Sequence, residues 1–147
     1  MQKEPQLIRG GSFKDERGTV SFVNDFSFCD VKRFYQINNA STDLVRAWQG
    51  HQMEHKFFYA STGSFLIAWV KIDDWQSPSV TLEPAHTVLR ANEPVILSIP
   101  PGYANGILAL ENDASLLIFS DLTVASSTND RWIYDQNLWF NWQQFKI

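Results

Sequence analysis

The chain reads as a series of short apolar or alternating runs cut by turn residues. Gly10-Gly11 and Asp15-Glu16-Arg17-Gly18 are turn signals, and residues 19–24 behind them have the look of a strand. Residues 32–38, Lys-Arg-Phe-Tyr-Gln-Ile-Asn, alternate and are rich in aromatics, and a loop follows at 39–43. Residues 55–60 and 64–72 read as the arms of a hairpin around Ser61-Thr62-Gly63. The second arm, SFLIAWVKI, has almost no polar face, as expected of a strand covered on both sides. Residues 73–79 are polar and turn-like. Runs at 87–89, 95–99, 106–110 and 115–120 continue the series at roughly ten-residue spacing. Pro100-Pro101-Gly102 must interrupt pairing, because neither proline has an N–H to donate. No stretch sustains a 3.6-residue apolar period. The pattern predicts an all-β chain closed as a sandwich or barrel, with one short helix near 126–131.

Composition narrows this without changing it. The 147 residues suit a single domain, 1–147, and 44% apolar content is enough for a core. Six Trp and eleven Phe suit strands and sandwich interiors. A net charge of -4 argues against a nucleic-acid partner, which wants clustered Lys and Arg, but leaves room for a ligand with two phosphates. The lone Cys29 excludes an intramolecular disulfide and is compatible with a reducing compartment. No apolar run approaches the length of about 18 residues that a membrane span needs, and the polar N-terminus does not resemble a signal peptide. A soluble, cytoplasmic protein with no membrane partner is expected.

Candidate chemistry is densest at Arg46-Ala-Trp-Gln-Gly-His51-Gln-Met-Glu-His55-Lys56, which runs straight into Phe57-Phe58-Tyr59. Charged and imidazole groups here border a strand that must be largely buried, and buried charge is costly unless paired or used. An exposed loop with a strand-edge lysine is the plainer reading. For His51 and Lys56, of opposite parity, to share a cavity the chain must bend between them, and Gly50 is one place for that. The three histidines, 51, 55 and 86, do not make a convincing metal set. Trp48, Trp69 and Trp75 are either sugar-stacking platforms or packing residues.

Taken in order, these motifs resemble the dTDP-4-dehydrorhamnose 3,5-epimerase superfamily, including the dTDP-4-keto-6-deoxyhexose 3,4-ketoisomerases. Asp15-Glu16-Arg17-Gly18 is similar to the family's early aspartate-x-arginine-glycine turn. Gln36-Ile37-Asn38-Asn39-Ala40-Ser41 is similar to its glutamine-x-asparagine-x-x-serine segment. Arg46 to His51 resembles its arginine-glycine-x-histidine element, stretched by two residues. Lys56, seven residues before Gly63, matches its active-site spacing. Pro100-Pro101-Gly102-Tyr103-Ala104-Asn105-Gly106 resembles its proline-x-glycine-phenylalanine-alanine-histidine-glycine, and Asp135 to Trp142 resembles its closing segment.

The resemblance implies a cupin-type double-stranded β-helix, a jelly-roll barrel of the RmlC-like kind. It implies a cofactor-free epimerase or ketoisomerase acting on a nucleotide-linked 4-keto-6-deoxy sugar, dTDP in the family. Arg17 and Arg46 would contact the pyrophosphate, where the guanidinium fork suits phosphate oxygens. Gln36 and Asn38 would contact nucleotide or sugar. His51 would be the base, Asp135 would hold its tautomer, and Lys56 would stabilise the enolate oxygen. Tyr59, Tyr103 and His55 are candidates for sharing a proton shuttle with His51, and Asn105 for a substrate contact.

The chain departs from the family in four places. The 115–120 strand lacks the epimerases' acid tyrosine, and Phe22 stands where they carry an acidic residue. Gln49 replaces the first histidine of the ketoisomerases, and Asn105 replaces the last histidine of the second cupin motif. With asparagine there no metal is expected, since a neutral amide is a poor ligand for first-row metals. A non-catalytic cupin that binds a sugar or nucleotide-sugar is the alternative. The family's homodimers, with the early arginine reaching into the partner's pocket, and the apolar 64–72 run together lead to the expectation of a symmetric homodimer.

Overall fold

The structure, a computed structural model, describes residues 2–146. In chain order the strands are β1 (Gln6–Arg9), β2 (Gly11–Asp15), β3 (Gly18–Phe22), β4 (Arg33–Asn38), β5 (Val45–His51), β6 (Lys56–Thr62), β7 (Ser64–Lys71), β8 (Ala85–Arg90), β9 (Val95–Ile99), β10 (Tyr103–Ala109), β11 (Ser115–Ser120) and β12 (Trp132–Ile133). A short helix, α1 (Val124–Thr128), lies two residues N-terminal to its expected start, capped by the Thr123 hydroxyl accepting from Ser126 N–H. The tail ends in a 3-10 turn, Trp142–Phe145. No described helix is long and apolar enough to cross a membrane.

Two five-stranded sheets face each other, β1-β9-β6-β11-β4 and β12-β5-β10-β7-β8, and every pairing is antiparallel. Alternation decides which side chains meet between them. Phe58, Ala60, Leu116, Ile118 and Leu97 from the first sheet pack against Phe65, Ile67, Tyr103 and Ile107 from the second.

The 64–72 run is covered on both sides as expected, and its outer face is covered by this chain's own tail, so it is not a free face for a second copy. Leu66, Ala68 and Val70 of β7 point outward but are buried beneath Trp48, Trp142, Trp139, Phe140 and Leu138. The tail thus forms a third layer. Its closeness is seen at Gly106, where an added Cβ would lie 2.6 Å from the Trp142 ring and 2.7 Å from Ala47 Cβ. Trp48 and Trp75 belong to this layer and Trp69 to the inner one, so all three pack rather than offer stacking platforms.

The expected 55–60/64–72 hairpin does not form either. β6 pairs with β9 and β11, whereas β7 pairs with β10 and β8. Gly63, at φ +71°, turns the chain from one sheet to the other. β2 and β3 pair only with each other. Their cross-strand pair Phe13 and Val20 is 60% and 62% exposed, a bare apolar hairpin immediately after β1.

Candidate functional site

The cavity that gathers the expected residues lies between the sheets at their β4/β5 side. It has a volume of about 500 Å³, with Tyr35, Lys56 and Phe58 on one wall and Arg46, Gln49 and Asn105 on the other. The walls follow from strand parity. On β5, Trp48 and Gly50 face the outer layer, so Gln49 and His51 face inward. On β10, Ala104 and Gly106 face outward, so Tyr103, Asn105 and Ile107 face inward, and Asn105 is the cross-strand partner of Gln49. On β6, Lys56, Phe58 and Ala60 are the buried, inward set.

Three of these inward groups are polar and buried, and one of them has a buried atom left without a partner. His51, Lys56 and Asn105 are each only 5% exposed. His51 Nε2 is buried with no hydrogen-bond partner. Among the described residues Lys56 forms no ion pair, although its ammonium lies 5.7 Å from the centre of the Tyr35 ring. The Asn105 amide lines the cavity and makes no side-chain hydrogen bond with another described residue. Leaving a buried polar atom such as His51 Nε2 unpaired costs about 1–3 kcal/mol. Lys56 and Asn105 line the cavity itself.

His51 is held from behind. Its Nδ1 lies 2.7 Å from the Asp130 carbonyl and 3.2 Å from Glu54 Oε1. Nδ1 therefore carries the proton and donates, which leaves the Nε2 lone pair free. Burial first, and then the Lys56 charge, hold the imidazole pKa down to about 4 against the raising effects of Asp130 and Glu54. The ring is neutral at physiological pH, the state a base must start from. Asp135 is not its partner: exposed beyond β12, it accepts from Asn137 N–H at 2.7 Å and makes a turn. The partner is supplied five residues earlier, at Asp130.

Behind the imidazole lies a buried network. The Asp130 carboxylate accepts the N–H groups of Gln52, Met53 and Glu54 at 2.7–2.9 Å, fixing the β5–β6 bend that brings His51 and Lys56 together. Glu54 accepts from Arg33 at 3.1 Å, from Ser127 at 3.1 Å and from the Ser120 hydroxyl. Burial pushes the Glu54 carboxyl pKa up, but Lys56, Ser120, His51 and Ser127 together outweigh it and hold the group below its ordinary value. His51, Glu54 and Asp130 bring possible metal-ligand atoms within 4.8 Å of one another. Their oxygens are already taken by N–H and O–H donors, so the trio serves as the support of the imidazole.

The remaining expected residues scatter. Arg46 borders the cavity and donates to Asn39 Oδ1 at 2.9 Å. Gln36 and Asn38 border the mouth at edge strand β4 and bond to each other at 3.1 Å. Arg17 sits at the exposed tip of the β2–β3 hairpin, paired to Asp15 at 2.6 Å. Tyr59 is a correction: it pairs with Leu117 on the outward row of the first sheet and does not enter the cavity. Tyr103 stands beside His51 across the β5/β10 ladder, but its hydroxyl donates to the Lys3 carbonyl at 3.3 Å. His55 also leaves the site, stacking on Phe57 and bonding Ser98. Sequence reasoning missed Tyr35, Glu54 and Asp130. Parity alone places Tyr35 with Arg33 and Ile37 on the inward face of β4.

A cavity between two facing sheets, walled by a histidine-bearing strand and a lysine-bearing strand, invites comparison with solved structures. A sugar 3,4-ketoisomerase from Thermoanaerobacterium thermosaccharolyticum, in complex with TDP, superposes with a TM-score of 0.67 at 21% identity, covering 89% of this chain and 88% of its own. The RmlC epimerase of Mycobacterium tuberculosis gives a TM-score of 0.76 at 18% identity, over 94% of this chain and 74% of its own. The chain folds as an RmlC-like cupin. The same fold is seen in a dTDP-4-dehydrorhamnose 3,5-epimerase from Bacillus anthracis with TDP and PPi bound, at a TM-score of 0.74 and 14% identity, over 90% of this chain and 79% of that one. No family model and no curated protein matches this RmlC-like cupin by sequence.

Proposed function

We propose that this cupin, acting as one domain over 1–147, is an epimerase or ketoisomerase for a nucleotide-linked 4-keto-6-deoxy sugar, with dTDP the favoured nucleotide. The observation that carries the reading is the cavity lined by Lys56, Arg46, Gln49 and Asn105, with the buried, unpartnered Nε2 of His51 on the next inward position of β5 after Gln49. A 4-keto group acidifies the neighbouring C–H bonds. His51 Nε2 takes a proton from such a carbon, and the electron pair moves onto the ketone oxygen. The Lys56 ammonium stabilises the charge that develops there. The chemistry needs no cofactor. Arg46 at the rim binds a phosphate. Solved proteins of this fold hold TDP, and one holds TDP with PPi, in support of this class of ligand.

The test is hydrogen exchange. With dTDP-4-keto-6-deoxyglucose in deuterated water, NMR should show loss of the sugar C3 proton signal, and His51→Gln should stop it. No exchange with this or related nucleotide-ketosugars would refute the enzymatic reading.

Gln49 and Asn105 favour a second reading, a cupin that binds nucleotide-sugars without turnover, because both are neutral amides where the resembling families carry histidine. A melting point raised by TDP, with no exchange, would establish it.

The assembly completes the site. A lone two-stranded hairpin is marginal in water, yet β2–β3 carries Phe13, Val20 and Arg17 into solvent. Docking on a second copy covers the apolar pair and brings Arg17 to the partner's cavity. Light scattering should give twice the 16.9 kDa chain mass at micromolar concentration, and Val20→Asp should shift it toward that of one chain. A wild-type protein that scatters as one chain would remove the dimer. A cytoplasmic location accords with the free, exposed Cys29.

A further inference from the structure

The register of β5 against β10 breaks at the cavity. Asn105 pairs with Gln49, but two residues on, Ile107 pairs with Arg46, so β5 carries one extra residue between these pairs. Such a bulge re-aims side chains. Residues three apart on a regular strand face opposite ways, yet Arg46 and Gln49 both line the cavity. The bulge thus brings the Arg46 guanidinium to the same wall as two amides, Gln49 and its cross-strand neighbour Asn105.

This wall offers more than a hydroxyl uses. Asn105 is buried and Gln49 half-buried, and neither side chain makes a hydrogen bond with another described residue. Each presents a carbonyl acceptor and an NH2 donor. Ile107, the next inward residue of β10, and Phe58 on the facing sheet line the same space. The complement of this wall is a small group with a donor, an acceptor and an apolar end. A hydroxyl has no apolar end for Ile107 and Phe58.

The charged lining decides against a free amine. Lys56 and Arg46 line the cavity, and no acidic residue does so among the described residues. An ammonium group there meets two cations and no carboxylate, and such like-charge juxtaposition is costly. Acylation removes the charge and keeps an N–H donor.

We infer that Gln49 and Asn105 select a nucleotide-sugar whose hexose carries an acylamino group, such as acetamido. The substituent N–H donates to one side-chain carbonyl, its C=O accepts from the other residue's NH2, and its methyl lies against Ile107 and Phe58. The inference rests on the nucleotide-sugar reading above, and because it concerns binding it holds with or without turnover.

The experiment is calorimetric titration of the full chain with dTDP-glucose and with its 2-acetamido, 3-acetamido and 3-amino counterparts. Wild type should bind one of the acetamido sugars about 10- to 100-fold more tightly than dTDP-glucose, the gain from two hydrogen bonds to unpartnered amides and a buried methyl. The amino sugar should bind no more tightly than dTDP-glucose. Gln49→Met keeps the side-chain length without the amide, and Asn105→Leu is the matching change on β10. In each variant the ratio of acetamido to hydroxyl affinity should fall toward one. A general loosening of the fold weakens both sugars and leaves this ratio in place, and either variant alone suffices to read it. Equal affinity of wild type for the acetamido sugars and dTDP-glucose would overturn the inference. So would tightest binding of the amino sugar, or a preference kept in full by the variants. In each of those outcomes the nucleotide-sugar reading survives, because the sugars still bind, whereas a wild-type protein that binds none of the four defeats that reading and the inference together.

Discussion

His51→Gln should lower turnover by about 100- to 10,000-fold, the range by which a positioned general base accelerates proton transfer, while TDP affinity changes little. The expectation comes from the geometry behind the ring. Because Nδ1 donates to the Asp130 carbonyl at 2.7 Å, the basic lone pair is on Nε2, and glutamine offers no comparable base there. The pH dependence follows the same group. With its pKa held down to about 4, chiefly by burial and then by Lys56, His51 is already neutral well below physiological pH. This limb of the rate profile should be flat from about pH 5.5 upward and fall only as pH approaches 4. Steady-state rates across pH 4–8, on the wild type and the variant, check both statements. A rate limb near 6.5, the ordinary histidine value, would show that the working base is not this buried imidazole.

The largest stability loss is expected at Glu54→Ala. Glu54 is 1% exposed and accepts from Arg33, Ser120 and Ser127, so truncation strands one cation and two hydroxyls. Removing one partner of a buried, hydrogen-bonded charge pair costs about 3–5 kcal/mol, or roughly 10 °C in Tm for a chain of this size. The same network makes the fold acid-sensitive, and its two groups act in the same direction. His51 has a folded pKa below its unfolded value of 6.5, so its contribution is complete above pH 6.5 and is lost as pH falls toward about 4. Glu54 is also depressed, from 4.5, so its contribution is present above that pH and is lost as pH falls further. Thermal melts should therefore weaken from about pH 6.5 downward, and Glu54→Ala should lose the lower part of that dependence. A variant that melts within about 1 °C of wild type would mean that the pair and its hydrogen bonds contribute no net stability.

Much of the architecture was legible where strands alternate cleanly. β4 and β11 stand almost where the polarity pattern put them, because each has one face more deeply buried than the other, and β9 matches its expected bounds as a short apolar run buried at four successive positions. β5 was hidden for the reason that makes it interesting. Its inward positions carry Gln49 and His51 instead of aliphatic residues, so a strand that lines a cavity reads as a polar loop. Ser61-Thr62-Gly63 has the composition of a hairpin turn, yet Gly63 carries the chain across to the other sheet. Local turn chemistry sets a change of direction but does not choose the next pairing partner. That 64–72 is covered on both sides was legible, but its cover is Trp139, Phe140 and Trp142, an association over about seventy residues that no local pattern encodes.

The site was legible in part. His51 and Lys56 are both buried on inward strand positions, joined by a bend that Asp130 fixes through three N–H groups, and of the two Lys56 lines the cavity. Asp130 itself escaped notice because its partners lie more than seventy-five residues away in sequence. Asp135, in a segment that resembles a family motif, turned out to make a local turn. Tyr35 follows from the parity of β4, whereas Tyr59, nearer the polar cluster in sequence, has outward parity.

A second cavity supplies the sharpest contrast for the central claim. It lies between edge strands β1 and β8, has a slightly larger volume of about 550 Å³, and is lined by Arg9, His86 and Arg90. These three residues are exposed, so it lacks the buried polar lining that Lys56 and Asn105 give the β4/β5 cavity. The most direct measurement is a crystal structure of the His51→Gln variant with dTDP-4-keto-6-deoxyglucose bound. The account predicts the sugar between Tyr35 and Asn105, its C4 oxygen within about 3 Å of Lys56 Nζ, and a phosphate at Arg46. A sugar seated instead between β1 and β8, or one in the β4/β5 cavity with its ketone turned away from Lys56, would contradict it.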